Sequence, residues 1–173
     1  MPVLLRRIAQ EVRPSVRIEF LDAIRIGRQK LLREGEIERV TELAARKAGR
    51  EGGIVFLMDA DDECPKQVAL EILTRARRVR SDFKIRVVLA MREFESWVIG
   101  GIKSILDSSG TLPLNPEGIR GAKEWISRNL YQDSKYSPVL HQASLARRLD
   151  LQSARDNCSS FDKLWRDVSS LIE

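Results

Sequence analysis

Apolar positions fall into two periodicities along the chain. Leu4, Leu5, Ile8 and Val12 recur at helical spacing and predict a helix over residues 3–13, stopped by Pro14. Val16, Ile18 and Phe20 alternate with Arg17, Glu19 and Leu21, so residues 16–22 predict a strand. Residues 24–36 are ambiguous, with Gly27 and Gly35 as breakers. Ile37, Val40, Ala44 and Ala48 predict a helix over 36–48 that Gly49 ends. After a glycine-rich turn the pattern changes to a continuous apolar run, residues 54–59, which predicts a strand buried on both faces. Pro65 opens a helix carrying Val68, Ala69, Ile72, Leu73, Ala76 and Val79. Residues 84–91 form a second buried run, and Phe94, Trp97, Val98, Ile102 and Ile105 predict a helix over 93–106.

Strand, helix, strand, helix is the order of an α/β fold with a parallel sheet. The two apolar strands are expected to be parallel neighbours joined by a right-handed crossover. Beyond Leu106 no further strand is visible, and residues 116–130, 138–149 and 160–172 predict short helices. The expected organisation is one domain: an α/β core over residues 1–107, with a helical subdomain over 108–173 packed on it.

Composition narrows the class. The chain has 173 residues, 43% hydrophobic and 32% charged, as in ordinary soluble domains. No apolar run approaches the roughly 18 residues of a membrane span. The charged N-terminus is no secretory signal. A cytoplasmic protein with no membrane partner is expected. Cys64 and Cys158 fit neither a zinc pattern nor a disulfide framework. Residues 1–50 hold 12 Lys/Arg and 7 Asp/Glu and so carry the whole net charge of +5. Regional basic excess suits a polyanion such as nucleic acid, though the excess is modest.

Candidate chemistry concentrates where the apolar strands end. Asp59, Asp61, Asp62 and Glu63 follow the first buried strand, at the end of a parallel sheet where ligands bind. Asp59 and Asp61 would project to one side in extended backbone, and carboxylates held together call for a cation or a proton. Asp59, Asp61 and Asp62 are therefore candidate ligands for Mg²⁺ or Mn²⁺. Capping of the next helix is the competing explanation, strongest for Asp62 and Glu63. Glu93 and Glu95 follow the second strand, about 4.8 Å away if the strands are neighbours. Either can complete a metal site or serve as general base, and an acidic helix start is the alternative. Arg120 and Lys123 can present cations to phosphate, as can Lys163; a solvated helix face explains them equally well. Lys123 also belongs with the catalytic candidates Glu93 and Glu95. Arg75, Arg77, Arg78 and Arg80 read first as a solvated helix end and second as a phosphate contact. His141 is the only histidine, and no Walker A or dinucleotide fingerprint is present.

The segments IVFLMDADDECP, VVLAMREFESWVIG, IRGAKEWIS, KYSPVLHQ and FDKLW together resemble a bacterial and archaeal family known as domain of unknown function 4276. That family is similar to the Toprim fold, the Mg²⁺-binding α/β domain of topoisomerases, primases and phage-related nucleases. The resemblance implies a parallel sheet sandwiched by helices. It matches Asp59-Ala60-Asp61 to the Toprim Asp-x-Asp pair. It also implies an N-terminal strand and a Glu-Gly loop just upstream of the segment that opens this chain, so the matching Glu is not found here.

Two functions follow. One is a Mg²⁺-dependent domain that cleaves or transfers phosphodiesters in nucleic acid, with anti-phage defence as the setting the resemblance implies. The other is a catalytically silent binding module that partners an ATPase. A sheet lacking one strand leaves unpaired N–H and C=O groups at an apolar edge, so a homodimer through the sheet edge or first helix is expected, the alternative being that residues 16–22 fill the gap and leave a monomer. Light scattering checks this: a mass near 19.7 kDa at every concentration defeats the dimer.

Overall fold

The two continuous apolar runs become β1 (Gly53–Asp59) and β2 (Lys84–Ala90), paired in parallel with Gly53 opposite Lys84 and Asp59 opposite Ala90. The structure is a computed structural model that describes residues 2–102, 113–131 and 135–173. The helix opened by Pro65 connects the strands as α4 (Pro65–Val79). Before β1 come α1 (Pro2–Val12), the short α2 (Arg28–Leu31) and α3 (Glu36–Ala48).

The period of two along each strand divides the core into two clusters. Ile54 and Phe56 of β1, with Ile85, Val87 and Leu89 of β2, pack with Ile37 and Val40 of α3 and with Val68, Ile72 and Ala76 of α4. The opposite face, through Leu57, Val88 and Ala90, meets Leu4 and Ile8 of α1 and a cluster built largely from the second half of the chain. Helices therefore cover both faces of the strands, which is why both read as unbroken apolar runs rather than as alternating ones. The fold is mixed α/β and mostly helical, with a two-stranded parallel sheet among the described residues.

The two edges of this sheet differ. Along β2, the Lys163 ammonium donates to the Val87 carbonyl at 3.0 Å, and just beyond the strand the Met91 N–H donates to Ser160 Oγ at 3.1 Å. Both partners lie on α9 (Ser159–Ile172), which occupies that side. Among the described residues no strand pairs with the other edge of β1.

The strand expected over residues 16–22 is not formed. Its alternation buries no side chain fully: Ile18 and Phe20 are only half-buried, and Val16 is 41% exposed and Leu21 42%. Side chains meet its backbone instead, with Arg6 donating to the Phe20 carbonyl and Lys47 to the Asp22 carbonyl. Local alternation without a partner strand does not hold a ladder.

The helix expected over 93–106 is α5 (Glu95–Gly100), and residues 103–106 lie outside the described residues. The single helix expected over 116–130 is two pieces, a 3₁₀ turn (Pro116–Gly118) and α6 (Ala122–Leu130). Gly121, at φ +71°, breaks the run between them. Next come α7 (Pro138–Arg148), as expected, and α8 (Leu151–Asn157), which the sequence pattern did not isolate. Asp150 starts α8 by accepting from the Ser153 N–H at 2.6 Å. Trp97 is fully buried and packs edge-on against Phe94 and Phe161, with ring centres 5.7 and 5.5 Å apart. Among the described residues no helix is long and apolar enough to cross a membrane.

Two arginines, Arg75 and Arg7, are structural ties. Arg75 is neither a solvated helix end nor open to phosphate. It makes two hydrogen bonds of 2.8 Å to Glu38 and reaches the carbonyls of Leu32 and Arg33, fastening α4 to α3 and to the turn before it. This contact holds the Glu38 carboxyl down to about 2. Arg7 donates to the carbonyls of Ala146 and Leu149 at the end of α7. Part of the basic excess of residues 1–50 is therefore engaged inside the protein.

Candidate functional site

β1 and β2 end in register, and the loops that follow are bonded to each other. The Ala60 N–H donates to the Ala90 carbonyl at 2.9 Å and the Asp61 N–H to the Arg92 carbonyl at 3.0 Å. Asp61 and Arg92 both adopt left-handed backbone, φ +52° and +61°, and no other described non-glycine residue has positive φ. Such conformations cost about 1–3 kcal/mol each and persist where the surroundings impose them, often at functional sites.

This geometry separates the acidic residues into two groups. The chain leaves extended conformation at Asp61, so the expected same-side pairing of Asp59 and Asp61 does not hold. Asp59 turns to the second loop, where its Oδ1 accepts from the Phe94 N–H at 2.9 Å. Asp61 accepts from Arg28 of α2 at 2.9 Å, and Glu63 lies 2.7 Å from the same guanidinium. Asp62 accepts from Arg92 at 2.9 Å, with Arg120 at 3.5 Å from the same oxygen. Helix capping does not account for these residues either, since the N-cap of α4 is Cys64 and no side chain caps the helix.

The inner group is Asp59, Glu93 and Glu95 around Lys123. Glu95 is 1% exposed and accepts from the Tyr136 hydroxyl at 2.7 Å. Glu93 accepts from the Lys123 ammonium at 2.8 Å. The second carboxylate oxygen of each, Glu93 Oε2 and Glu95 Oε2, is buried and has no hydrogen-bond partner among the described residues. Burial pushes the Asp59 carboxyl up to about 6, and the negative fields of Glu95 and Asp61 add to it, against the opposing Phe94 N–H and Lys123. For Lys123, burial disfavours the charged ammonium, but its bond to Glu93 and the fields of Glu95, Glu93 and Asp59 outweigh that and raise its pKa. Burial and the bond to Glu95 raise the Tyr136 phenol, which therefore stays protonated as a donor.

Beside this group a shallow depression of about 350 Å³ is lined by Lys123, Glu124, Ser127, Arg128, Lys135 and Tyr136. Lys123 and Tyr136 thus border both the depression and the buried glutamates. Lys163 is placed elsewhere, on the β2 edge and paired with Asp167. Tyr136, Arg92 and Arg28 complete the site beyond the residues expected as ligands or bases. Arg92 was visible inside the segment after β2, whereas Tyr136 and Arg28 reach the site only through the fold.

Among the described residues no three Asp, Glu, His or Cys side chains close on one point as a metal cage. Mg²⁺ commonly needs only one or two carboxylates together with waters and phosphate oxygens. The two unpartnered buried oxygens and the raised Asp59 carboxyl mark an excess of buried negative charge of the kind a cation relieves. The residues present therefore fit a partial site, centred on Asp59 and Glu95.

The fold and site define an α/β protein with buried carboxylates at the carboxyl ends of two parallel strands. The chain belongs to the family described as Domain of unknown function (DUF4276), whose model matches residues 4–169. Comparison with curated proteins found no significant match, and neither did comparison with solved structures.

Proposed function

We propose that this chain is a Toprim-like, divalent-metal-dependent domain that cleaves or transfers phosphodiesters in nucleic acid. The observation that carries this reading is the pair of buried, unpartnered oxygens on Glu93 and Glu95 beside the raised Asp59 carboxyl. Asp59 and Glu95 are the residues that would hold Mg²⁺ or Mn²⁺, with Tyr136 fixing the orientation of Glu95. Bound there, the metal supplies Lewis-acid polarisation of a phosphoryl oxygen. In this reading Glu93, whose Oε1 accepts from Lys123, would be the base that takes the proton of an attacking water once Lys123 turns to phosphate. The water oxygen bonds phosphorus, the P–O bond to the leaving sugar oxygen breaks, and that oxygen takes a proton from solvent. Lys123 offsets phosphate charge on the side of the depression.

A second reading rests on a specific observation as well. Glu93 is already paired with Lys123, and among the described residues no three ligands converge. A catalytically silent module that partners an ATPase and keeps the metal loop as a sensing site is consistent with this. Incubation of single- and double-stranded DNA and of RNA with the protein, in Mg²⁺, Mn²⁺ or EDTA, separates the two. Metal-dependent cleavage is expected, with Glu95→Gln losing about 100-fold or more in rate. Calorimetric Mn²⁺ binding without cleavage by the wild type would favour the silent module. Cleavage that persists in Glu95→Gln would defeat the assigned site.

A further inference from the structure

The outer group of charges contains an arrangement that the metal reading does not use. Arg92 and Arg120 come from different segments, yet their guanidinium groups meet at one oxygen, Asp62 Oδ1, at 2.9 and 3.5 Å. Two guanidinium groups brought together repel unless an anion lies between them. Arg92 is held there by a left-handed backbone that a non-glycine residue adopts only at a cost. The present anion is a single carboxylate oxygen on a side chain that is 74% exposed, facing Arg120 at 77% exposure. Ion pairs this exposed contribute little, so the carboxylate is easily displaced. A phosphate group offers more oxygens and a planar match to each guanidinium.

We infer that Arg92 and Arg120 form a phosphate-binding clamp, which Asp62 fills in the free protein and phosphate takes over. All three segments of the clamp also carry a residue of the inner group. Asp62 is three residues after Asp59, Arg92 directly precedes Glu93, and Arg120 is three residues before Lys123. A phosphate held at the clamp would therefore sit beside the carboxylate site. As to the source of the phosphate, a nucleic-acid backbone, the inference rests on the function proposed above; the clamp itself does not.

Binding of a fluorescein-labelled single-stranded oligonucleotide is measured by anisotropy in EDTA at low salt, where no metal-dependent step contributes. Asp62→Asn removes the internal competitor and should tighten binding about two- to fivefold. Any loss of negative charge strengthens nucleic-acid binding somewhat, so Asp156→Asn, an exposed aspartate on α8 bonded to Gln152, supplies the control. Arg120→Ala should weaken binding about three- to tenfold and abolish the gain from Asp62→Asn. Equal gains from Asp62→Asn and Asp156→Asn, or a gain that survives Arg120→Ala, would overturn the clamp. Calorimetry with inorganic phosphate distinguishes the source. Tighter phosphate binding by Asp62→Asn without tighter oligonucleotide binding upholds the clamp and overturns its assignment to nucleic acid. Because no metal is present, loss of nuclease activity in a separate assay leaves these outcomes unaffected.

Discussion

Asp59→Asn is expected to raise the stability of the protein while weakening its hold on a divalent cation. The Asp59 carboxyl is pushed up to about 6, chiefly by burial. The sign follows from linkage. A carboxyl with a folded-state pKa above its unfolded value favours the native state most when both states are protonated. For Asp59 that is below about pH 4, the model-peptide value. The contribution is lost as pH rises from there through about 6, and above pH 7 the native state carries the full cost of the ionised group. A shift of about two units corresponds to roughly 3 kcal/mol at most. Asn cannot ionise, and its Oδ1 can still accept from the Phe94 N–H. At pH 7.5 the variant should therefore gain about 1–3 kcal/mol, which raises Tm by roughly 2–10 °C. The gap should close as pH falls towards 4. Thermal melts from pH 4 to 7.5 read it directly, and a gap independent of pH would mean that the ionised carboxylate is not its cause. Added Mg²⁺ should narrow the gap at pH 7.5, because only a protein that binds the ion gains from mass action. A wild type whose Tm does not respond to Mg²⁺ or Mn²⁺ would remove the metal from the site.

The parts of this site that could be read along the chain are those fixed by a strand and its own continuation. The apolar run before Asp59 and the one before Glu93 identify parallel strands, and parallel pairing brings their carboxyl ends together. Asp59, Glu93 and Glu95 were legible for that reason. The fate of Asp61 and Asp62 was not, because it turns on one left-handed residue and on arginines 33, 30 and 58 positions away. Lys163 looked like a phosphate contact only because sequence cannot show that a free strand carbonyl lies beside it. The 16–22 alternation was a true local pattern with no partner to pair with, so tertiary context overrode it.

Glu117 is the sharpest case of a residue invisible in sequence, and its removal should have the largest effect on stability. It is 8% exposed and lies at the N-terminus of α9, 42 residues away along the chain. Its Oε2 accepts from the Ser159 N–H at 2.9 Å and from Ser159 Oγ at 2.8 Å. Its Oε1 accepts from the Ser160 N–H at 3.0 Å and also from Ser160 Oγ. A carboxylate placed there satisfies the orphan donors of the helix and faces the positive end of its dipole. Ser160 Oγ in turn accepts from Trp97 Nε1 at 2.7 Å and from the Met91 N–H, so the loop carrying Glu93 hangs on the same network. Glu117→Ala leaves several buried donors unpaired and should cost about 3–5 kcal/mol. Glu117→Gln keeps one acceptor oxygen but turns an NH₂ towards donors, and should cost about 1–3 kcal/mol. Urea unfolding at pH 7 gives both values from the midpoint at constant slope. If Ala and Gln cost the same small amount, under about 1 kcal/mol, the network is not what anchors α9. If the ordering holds, Mn²⁺ binding by the folded Gln variant should weaken as well, since the loop between Met91 and Glu95 loses part of its support without any change to the carboxylates themselves.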